Sequence, residues 1–307
     1  MAAIVAASVF MPGLAGAQGW VPPIEMAEPG EAGQRVAEAG ITANFLPAAG
    51  KGRHPAILLL GGSEGGLGAG ALIMAKALQS EGFSVLQLSY YRAPGQPEAF
   101  AQVPLETFDR GIAWLKRAPG VDRRRIAVVG GSKGAEGALI VASRHPEIRA
   151  VVAGMPSSYM WAAFSWDGSD IPGASWSLSG KDVPFLPYGP FDPAIGMASI
   201  YLNGLKQAAE HPDAAIPVAR IRGKVLLICG KKDALWPSCP MADMLKEMDS
   251  RVTVLAYEDA GHAVFGVPLA QPSPGLAALG GSPEGNNDAR KDGWPRVVAF
   301  LRATLGK

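Results

Sequence analysis

The most constraining feature of this sequence is a serine set between glycines directly after an apolar strand. Residues 125–139 read RIAVVGGSKGAEGAL, in which Gly130, Ser132 and Gly134 have the spacing G-x-S-x-G. A serine at this spacing lies on a sharp, strained turn from strand to helix, and the flanking glycines let the two elements pass closely. The pattern predicts a nucleophile elbow that exposes the Ser132 hydroxyl.

A serine hydroxyl needs a general base, and the base needs a third group that orients it. The chain has four histidines. His54 stands in a loop before an apolar strand, and His145 and His211 each precede a proline, which indicates helix ends or turns. His262 instead follows the strand-like run 252–257, at the end of a strand where open α/β sheets place their chemistry. We therefore expect His262 to be the base.

Asp233 is the candidate acid because it follows the apolar run 224–229, which predicts a buried strand. It also stands between Ser132 and His262, as the acid does in the chain order of α/β-hydrolases. Taken singly, the serine motif arises by chance in a chain with 39 glycines, the aspartate is also a common helix cap, and the histidine fits an ordinary loop. The correct order, with each group at the end of a predicted strand, favours a catalytic triad.

A glycine-rich loop after the first strong strand is the candidate oxyanion hole. The apolar run 56–60 leads into residues 61–66, which read GGSEGG. We expect the backbone N–H groups of Ser63 and Lys133 to bind the oxyanion. A phosphate-binding loop is the alternative for such a segment, but the sequence contains neither G-x-G-x-x-G nor G-x-x-x-x-G-K-[ST].

Composition narrows the class of protein. The 307 residues are 48% hydrophobic, which suits a large core, and an α/β unit of this length is common as a single domain. The 28 basic and 27 acidic side chains leave a formal charge of +1, which gives no electrostatic footprint for nucleic acid. Because C-x-x-C and H-E-x-x-H are both missing from the sequence, we expect no metal and no cofactor.

The N-terminus has features of an export signal. Residues 1–20 read MAAIVAASVFMPGLAGAQGW, an apolar run that ends in the small-x-small pattern of a signal-peptidase site. We expect residues 1–17 to be a signal peptide and residues 18–307 the catalytic domain, exported to the periplasm or outside the cell. The run is too short for a stable membrane span. It lacks a preceding Lys or Arg, so an upstream start or a buried helix in a cytoplasmic protein are the alternatives.

The chain has two cysteines, Cys229 and Cys239. They would pair in an oxidising compartment and close a small loop around Asp233. Cys229 has the sequence context of a buried strand residue, however, and buried cysteines are more often free thiols. The sequence therefore favours free thiols and leaves the disulfide as the alternative.

Strands and helices alternate along most of the chain, which predicts a mostly parallel sheet covered by helices on both faces, the α/β-hydrolase fold. Predicted strands cover 41–46, 56–61, 83–89, 126–130, 149–153, 224–229 and 252–257, and predicted helices cover 67–81, 105–117, 133–144 and 289–305. Residues 155–219, hereafter the insertion, break this alternation and are rich in proline and aromatic residues. Two interpretations stay open for the insertion: a lid that forms an apolar acyl pocket, and a surface loop with its own small core.

From about residue 40 onward the sequence resembles the catalytic domain of the acyl-CoA thioesterases and bile acid-CoA:amino acid N-acyltransferases. The segments that carry the resemblance are residues 42–47, the Gly61-Gly62 loop, residues 89–91, 130–134 and 233–236, Gly261-His262, and Trp294 with its helix. The resemblance implies that Ser132, Asp233 and His262 are nucleophile, acid and base. The amidating members carry cysteine at the nucleophile position and the hydrolases carry serine, so Ser132 points to hydrolysis.

We therefore expect a serine hydrolase that cleaves a small-molecule acyl ester or thioester through an acyl-enzyme. A dienelactone-hydrolase-like enzyme or general carboxylesterase is the alternative within the same fold. A non-catalytic binding protein on a hydrolase scaffold is the alternative of another class, and the joint presence of the three candidate residues argues against it. By this resemblance, a β-sandwich domain precedes the catalytic domain in the animal proteins, and we expect residues 18–40 to be too short to form one.

Overall fold

A mixed sheet of eight strands organises the chain in the computed structural model, which describes residue 21 and residues 23–306. The strands are β1 (Gln34–Glu38), β2 (Ile41–Leu46), β3 (His54–Leu60), β4 (Ser84–Ser89), β5 (Val103–Pro104), β6 (Val121–Gly131), β7 (Ala150–Gly154), β8 (Trp176–Leu178), β9 (Lys181–Asp182), β10 (Lys224–Gly230) and β11 (Thr253–Tyr257). The α-helices are α1 (Ala69–Ser80), α2 (Glu106–Arg117), α3 (Lys133–Arg144), α4 (Ala198–Leu205), α5 (Ser238–Met248) and α6 (Pro283–Leu305).

The strand order of the large sheet is β1-β2-β4-β3-β6-β7-β10-β11. β2 pairs antiparallel with β1 and β4, and every later pair in the order is parallel. The three short strands β5, β8 and β9 form a separate small sheet. Because the parallel strands run in one direction, the loops that leave their carboxyl ends meet at one edge, where α/β folds place their sites.

The core lies on both faces of this sheet. Strand β3, with the sequence HPAILLL, is buried at every position after His54, as expected of a strand covered on two sides. Helices α2, α3 and α5 bury apolar residues against one face, and α1 and α6 cover the other. The predicted mostly parallel, doubly covered sheet is confirmed.

The differences from the predicted elements occur where the sequence carries few apolar residues. The edge strand β1, QRVAE, was not expected, and it buries only Val36. Strand β6 begins at Val121, so the basic triplet 123–125 lies within the strand rather than in the loop before it. Helix α6 begins at Pro283, six residues before the predicted start, because the Ser282 side chain accepts a hydrogen bond from the Gly285 backbone N–H at 2.9 Å.

The predicted signal peptide lies outside the described residues. Within residues 21 and 23–306, helices that combine enough length with enough apolar character to span a bilayer are absent.

The expectation of free thiols was wrong. Cys229 at the end of β10 and Cys239 in the first turn of α5 form a disulfide with their Cα atoms 5.1 Å apart. The strand end and the helix start face each other across a short connection, which brings two buried side chains into contact. The closed segment contains Asp233.

Loss of this disulfide should destabilise the protein. Closing a loop of this length removes freedom from the unfolded chain and contributes about 2–3 kcal/mol to the free energy of unfolding. We expect Cys239→Ala to lower that free energy by this amount in urea titrations. As a control, a reducing agent should destabilise the wild type toward the value of the variant and leave the variant unchanged; equal stability of all four samples would contradict the prediction.

Candidate active site

The Ser132 turn has the backbone that the elbow motif requires. Ser132 has φ 56° and ψ −125°, a left-handed conformation that non-glycine residues rarely adopt. A Cβ atom on Gly130 would lie 2.1 Å from the Gly134 carbonyl oxygen, and one on Gly134 would lie 2.1 Å from that of Gly61. Side chains at these two positions are excluded by backbone, so both glycines are needed to bring β6, α3 and the Gly61 loop together.

The structure brings the three predicted residues into one hydrogen-bonded chain. Nε2 of His262 lies 3.0 Å from Oγ of Ser132, and Nδ1 lies 2.9 Å from Oδ2 of Asp233. With Nδ1 donating to the carboxylate, Nε2 is the acceptor for the serine proton. The His262 and Asp233 side chains are 7% and 2% exposed, so water competes little for these bonds.

Backbone donors hold the Asp233 carboxylate in place. Its Oδ1 accepts hydrogen bonds from the N–H groups of Leu235 at 3.0 Å and Trp236 at 3.3 Å. The indole of Trp236 packs edge-on against the His262 ring, with the ring centres 5.8 Å apart. The candidate acid and the candidate base are therefore oriented by the same short segment, which the Cys229–Cys239 disulfide closes.

A buried asparagine that the sequence analysis missed anchors the His262 loop. Asn286 in the first turn of α6 accepts the Gly261 N–H at 2.9 Å and donates to the carbonyls of Leu276, Gly280 and Ser282. It is fully buried with these bonds satisfied. The sequence gave no signal for this residue, because the predicted helix began at residue 289 and left Asn286 outside it.

The predicted oxyanion donors are free to bind a ligand. Among the described residues, the N–H groups of Ser63 and Lys133 have no hydrogen-bond acceptor. Gly62, directly before Ser63, lies beside the nucleophile candidate, since a Cβ atom on it would lie 3.5 Å from Cβ of Ser132. The Gly62 N–H is already used, because it donates to Oε1 of Glu64 at 3.0 Å.

Glu64 places a carboxylate at the opening of the site. The residue is exposed to solvent on one side, while its Oε2 lies 2.7 Å from the Cβ position of Gly62. Desolvation by the surrounding protein raises the pKa of Glu64, and hydrogen bonds from the backbone N–H groups of Glu64 and Gly62 act against that rise. The sequence analysis did not single out Glu64, although it was the only charged residue in GGSEGG.

A buried ion pair ties the elbow helix to the insertion. Nζ of Lys133 donates to Oε2 of Glu136 at 2.7 Å and to Oγ of Ser175 at 3.1 Å, and the two charged side chains are 4% and 0% exposed. Oε1 of Glu136 accepts from the Trp176 indole at 2.6 Å and from the Trp161 N–H at 3.2 Å. Burial lowers the pKa of Lys133, and Glu136 opposes that shift.

The insertion combines features of both interpretations that the sequence left open. It forms an apolar cluster together with Trp236 and Met241, in which Trp161 stacks with Tyr188 and meets Tyr201 edge-on. It also reaches the candidate site, because the Trp166 indole N–H donates to the carbonyl of Ser63 at 2.9 Å. Among the described residues, clusters of three His, Cys, Asp or Glu side chains that could hold a metal ion are absent.

Comparison with known families assigns the chain to one of them. Residues 103–307 match the family described as BAAT / Acyl-CoA thioester hydrolase C terminal. The chain belongs to this family. The matched part includes Ser132, Asp233 and His262 and excludes Ser63.

Two curated relatives show the range of names within the BAAT and acyl-CoA thioester hydrolase group. Acyl-coenzyme A thioesterase 6 of Mus musculus is 28% identical over 280 residues, and bile acid-CoA:amino acid N-acyltransferase of Mus musculus is 27% identical over 275 residues. Each alignment covers 85% of this chain and 62% of the relative. The chain therefore spans less than two thirds of the length of either relative.

Solved structures of other proteins share the fold. A putative dienelactone hydrolase from Klebsiella pneumoniae aligns with a TM-score of 0.56 and 17% identity, over 88% of this chain and 96% of that chain. An esterase of Pyrococcus furiosus aligns with a TM-score of 0.57 and 18% identity, over 93% of this chain and 100% of that chain. The predicted α/β-hydrolase fold of this family member is confirmed.

Removing one member of the buried ion pair should be costly. Glu136→Gln leaves the Lys133 ammonium buried without a counter-charge, and we expect the free energy of unfolding to fall by about 3–5 kcal/mol in denaturant titrations. Adding Lys133→Met to that variant should recover part of the loss, because the uncompensated charge is then removed.

The matched control for this prediction is Glu258→Gln in the exposed Lys231–Glu258 pair. That variant should change the stability far less than Glu136→Gln does, since solvent screens an exposed pair. Similar losses in Glu136→Gln and Glu258→Gln would contradict the assignment of a buried, desolvated pair.

Proposed function

We propose that this protein is a serine hydrolase that cleaves an acyl ester or thioester through an acyl-enzyme. The observation that carries the proposal is the hydrogen-bonded chain from Ser132 through His262 to Asp233. Its order along the sequence is that of the α/β-hydrolases. Membership in a family that is named for thioester hydrolysis supports the same reaction.

In the first step Oγ of Ser132 attacks the carbonyl carbon of the substrate. His262 accepts the serine proton at Nε2, and Asp233 stabilises the imidazolium that forms. The carbonyl oxygen becomes an oxyanion, and we assign its two donors to the N–H groups of Ser63 and Lys133. His262 then gives the proton to the departing oxygen or sulfur, which leaves as an alcohol or thiol.

The second step repeats the same proton transfers with water. His262 takes a proton from water, the hydroxide oxygen attacks the acyl carbon, and the Ser132 oxygen leaves with the proton from His262. The products are a carboxylic acid and the free serine. No cofactor or metal is required for either step, because base, acid and oxyanion donors come from the chain itself.

The insertion is proposed to act as a lid that receives the acyl chain. Its contact with the Ser63 carbonyl through Trp166 supports this role, since that contact lies next to the proposed oxyanion hole. Trp161 is fully buried in the apolar cluster of the insertion, so it supports the lid from within instead of lining a pocket.

An oxygen ester is the second candidate for the substrate, and the Cys229–Cys239 disulfide favours it. Disulfides persist in oxidising compartments, and we propose that residues 1–17 direct export from the cytoplasm. An exported enzyme would not meet the coenzyme A thioesters of the cytosol. Parallel assays of p-nitrophenyl esters and acyl-CoA thioesters on purified protein distinguish the two substrates.

A fluorophosphonate probe should label Ser132, because a serine paired with a general base is far more nucleophilic than a surface hydroxyl. We expect the adduct on the peptide that contains Ser132, located by mass spectrometry, and its loss in Ser132→Ala. Ser63→Ala is the matched control, because it removes a hydroxyl beside the site and keeps the backbone N–H proposed for the oxyanion. Labelling that persists in Ser132→Ala would refute the assignment of the nucleophile.

The acyl acceptor should be water. An acyl-serine is an oxygen ester, which is less reactive toward amines than the thioester that a cysteine nucleophile would form. With excess glycine or taurine we expect the wild type to release mainly the free acid, and Ser132→Cys to raise the ratio of amide to acid while total turnover falls. Mass spectrometry of the products measures this ratio, and a wild type that yields mainly the N-acyl amino acid would make the protein an acyltransferase.

A further inference from the structure

Side chains from several elements hold the loop that carries Ser63. The Arg92 guanidinium donates to the carbonyl of Glu64 at 3.1 Å, and the Glu64 carboxylate accepts the N–H of Gly62 at 3.0 Å. Loops are usually more mobile than the strands and helices they connect, whereas oxyanion donors act best when they are fixed before the reaction. The contacts on either side of Ser63 therefore decide how well its N–H is oriented.

Tyr90, at the carboxyl end of β4, holds the peptide group before Ser63. Its hydroxyl lies 2.7 Å from the Gly61 carbonyl oxygen and 3.1 Å from that of Gly62. Burial raises the pKa of Tyr90 well above its usual range, so the hydroxyl keeps its proton and remains a donor. One proton serves two carbonyls, and the shorter contact is to Gly61.

Trp166 holds the peptide group after Ser63. Its indole N–H donates to the Ser63 carbonyl at 2.9 Å across 103 residues of sequence. The ring is partly buried against the main core. Trp166 belongs to the insertion, whereas Tyr90 directly follows β4, so the two contacts come from different parts of the fold.

The peptide group that joins Gly62 to Ser63 lies between these two contacts and carries the Ser63 N–H. Peptide groups are planar, so a plane with fixed neighbours on both sides has little freedom to rotate. Among the described residues this N–H has no acceptor, and the preceding residue, Gly62, lies beside Ser132.

We propose that Trp166 is a positioning residue that couples the insertion to the oxyanion hole, by fixing the Ser63 N–H through its bond to the Ser63 carbonyl. This inference rests on the proposed function, since an oxyanion hole matters only for acyl transfer to Ser132. It makes transition-state stabilisation depend on where the insertion sits.

The surroundings of Trp166 show how the insertion can transmit its position. Trp166 meets Phe164 edge-on with the ring centres 6.0 Å apart, and Phe164 stacks on Phe100 at 5.2 Å. Phe100 in turn lies under the Lys133 ammonium, which is 5.0 Å from its ring centre. A continuous set of contacts thus joins Lys133, the insertion and the Ser63 loop. An acyl chain that fixes the position of the insertion would therefore also fix the positions of the oxyanion donors.

Trp166→Phe tests the proposal because it removes the N–H donor and keeps an aromatic ring. We expect kcat for an acetyl ester to fall by about tenfold with KM unchanged, a smaller loss than the ~10²–10³ of removing an oxyanion donor outright. Trp161→Phe is the matched control, since its indole N–H binds Ser157 within the insertion at 2.8 Å and does not touch the loop.

Binding of an alkylboronic acid gives a readout that does not need turnover. The Ser132 oxygen adds to boron, His262 takes the proton, and the tetrahedral boronate places a negative oxygen in the oxyanion hole. Calorimetric titration with octylboronic acid should show weaker binding to Trp166→Phe by the same factor as kcat. Binding of octanamide, which forms no tetrahedral adduct, should be unchanged.

The outcomes separate this inference from the proposed function. Equal boronate affinity in wild type and Trp166→Phe would overturn the inference, and so would an equal loss in the Trp161→Phe control. A boronate affinity that depends on Trp166, in a wild type that hydrolyses no ester or thioester, would refute the proposed function and leave the inference standing.

Discussion

The contact on which the site depends is between two stretches of backbone. The position of a Cβ atom on Gly134 would fall 2.1 Å from the Gly61 carbonyl oxygen, so the first turn of the elbow helix rests directly on the loop after β3. This approach brings the loop that carries Ser63 next to the helix start that carries Lys133. A side chain at Gly134 would collide with the backbone of Leu60 and Gly61, so only glycine permits this approach.

The sequence predicted the parts of the site that local chemistry determines. The elbow needs glycine at Gly130 and Gly134, and the base and acid stand directly after apolar strands, so Ser132, Asp233 and His262 could be selected by position alone. The structure places their side chains in hydrogen-bond contact. The parallel core strands were predictable for the same reason, since long apolar runs in this chain are buried on both faces.

The residues that support the site were harder to predict because their role depends on contacts between distant segments. Asn286 stands in the unexpected first turns of α6, where it binds the loop before His262. Tyr90 and Trp166 act on one loop from positions far apart in the chain. The Cys229–Cys239 disulfide was not favoured by the sequence, because pairing depends on the direction in which the connection between strand and helix folds back. None of these contacts leaves a periodic pattern in the sequence.

The distances along the chain between the three central residues have a consequence for folding. Ser132 and His262 are separated by 130 residues, and the acid is 29 residues before the base. Contacts of such long range form late, because the entropy of closing the intervening chain must be lost first. An intermediate that has formed the sheet only as far as β7 would contain a complete elbow with an unpaired serine. If Ser132 is the nucleophile, as proposed, its reactivity would therefore report on the folding of the C-terminal third of the chain.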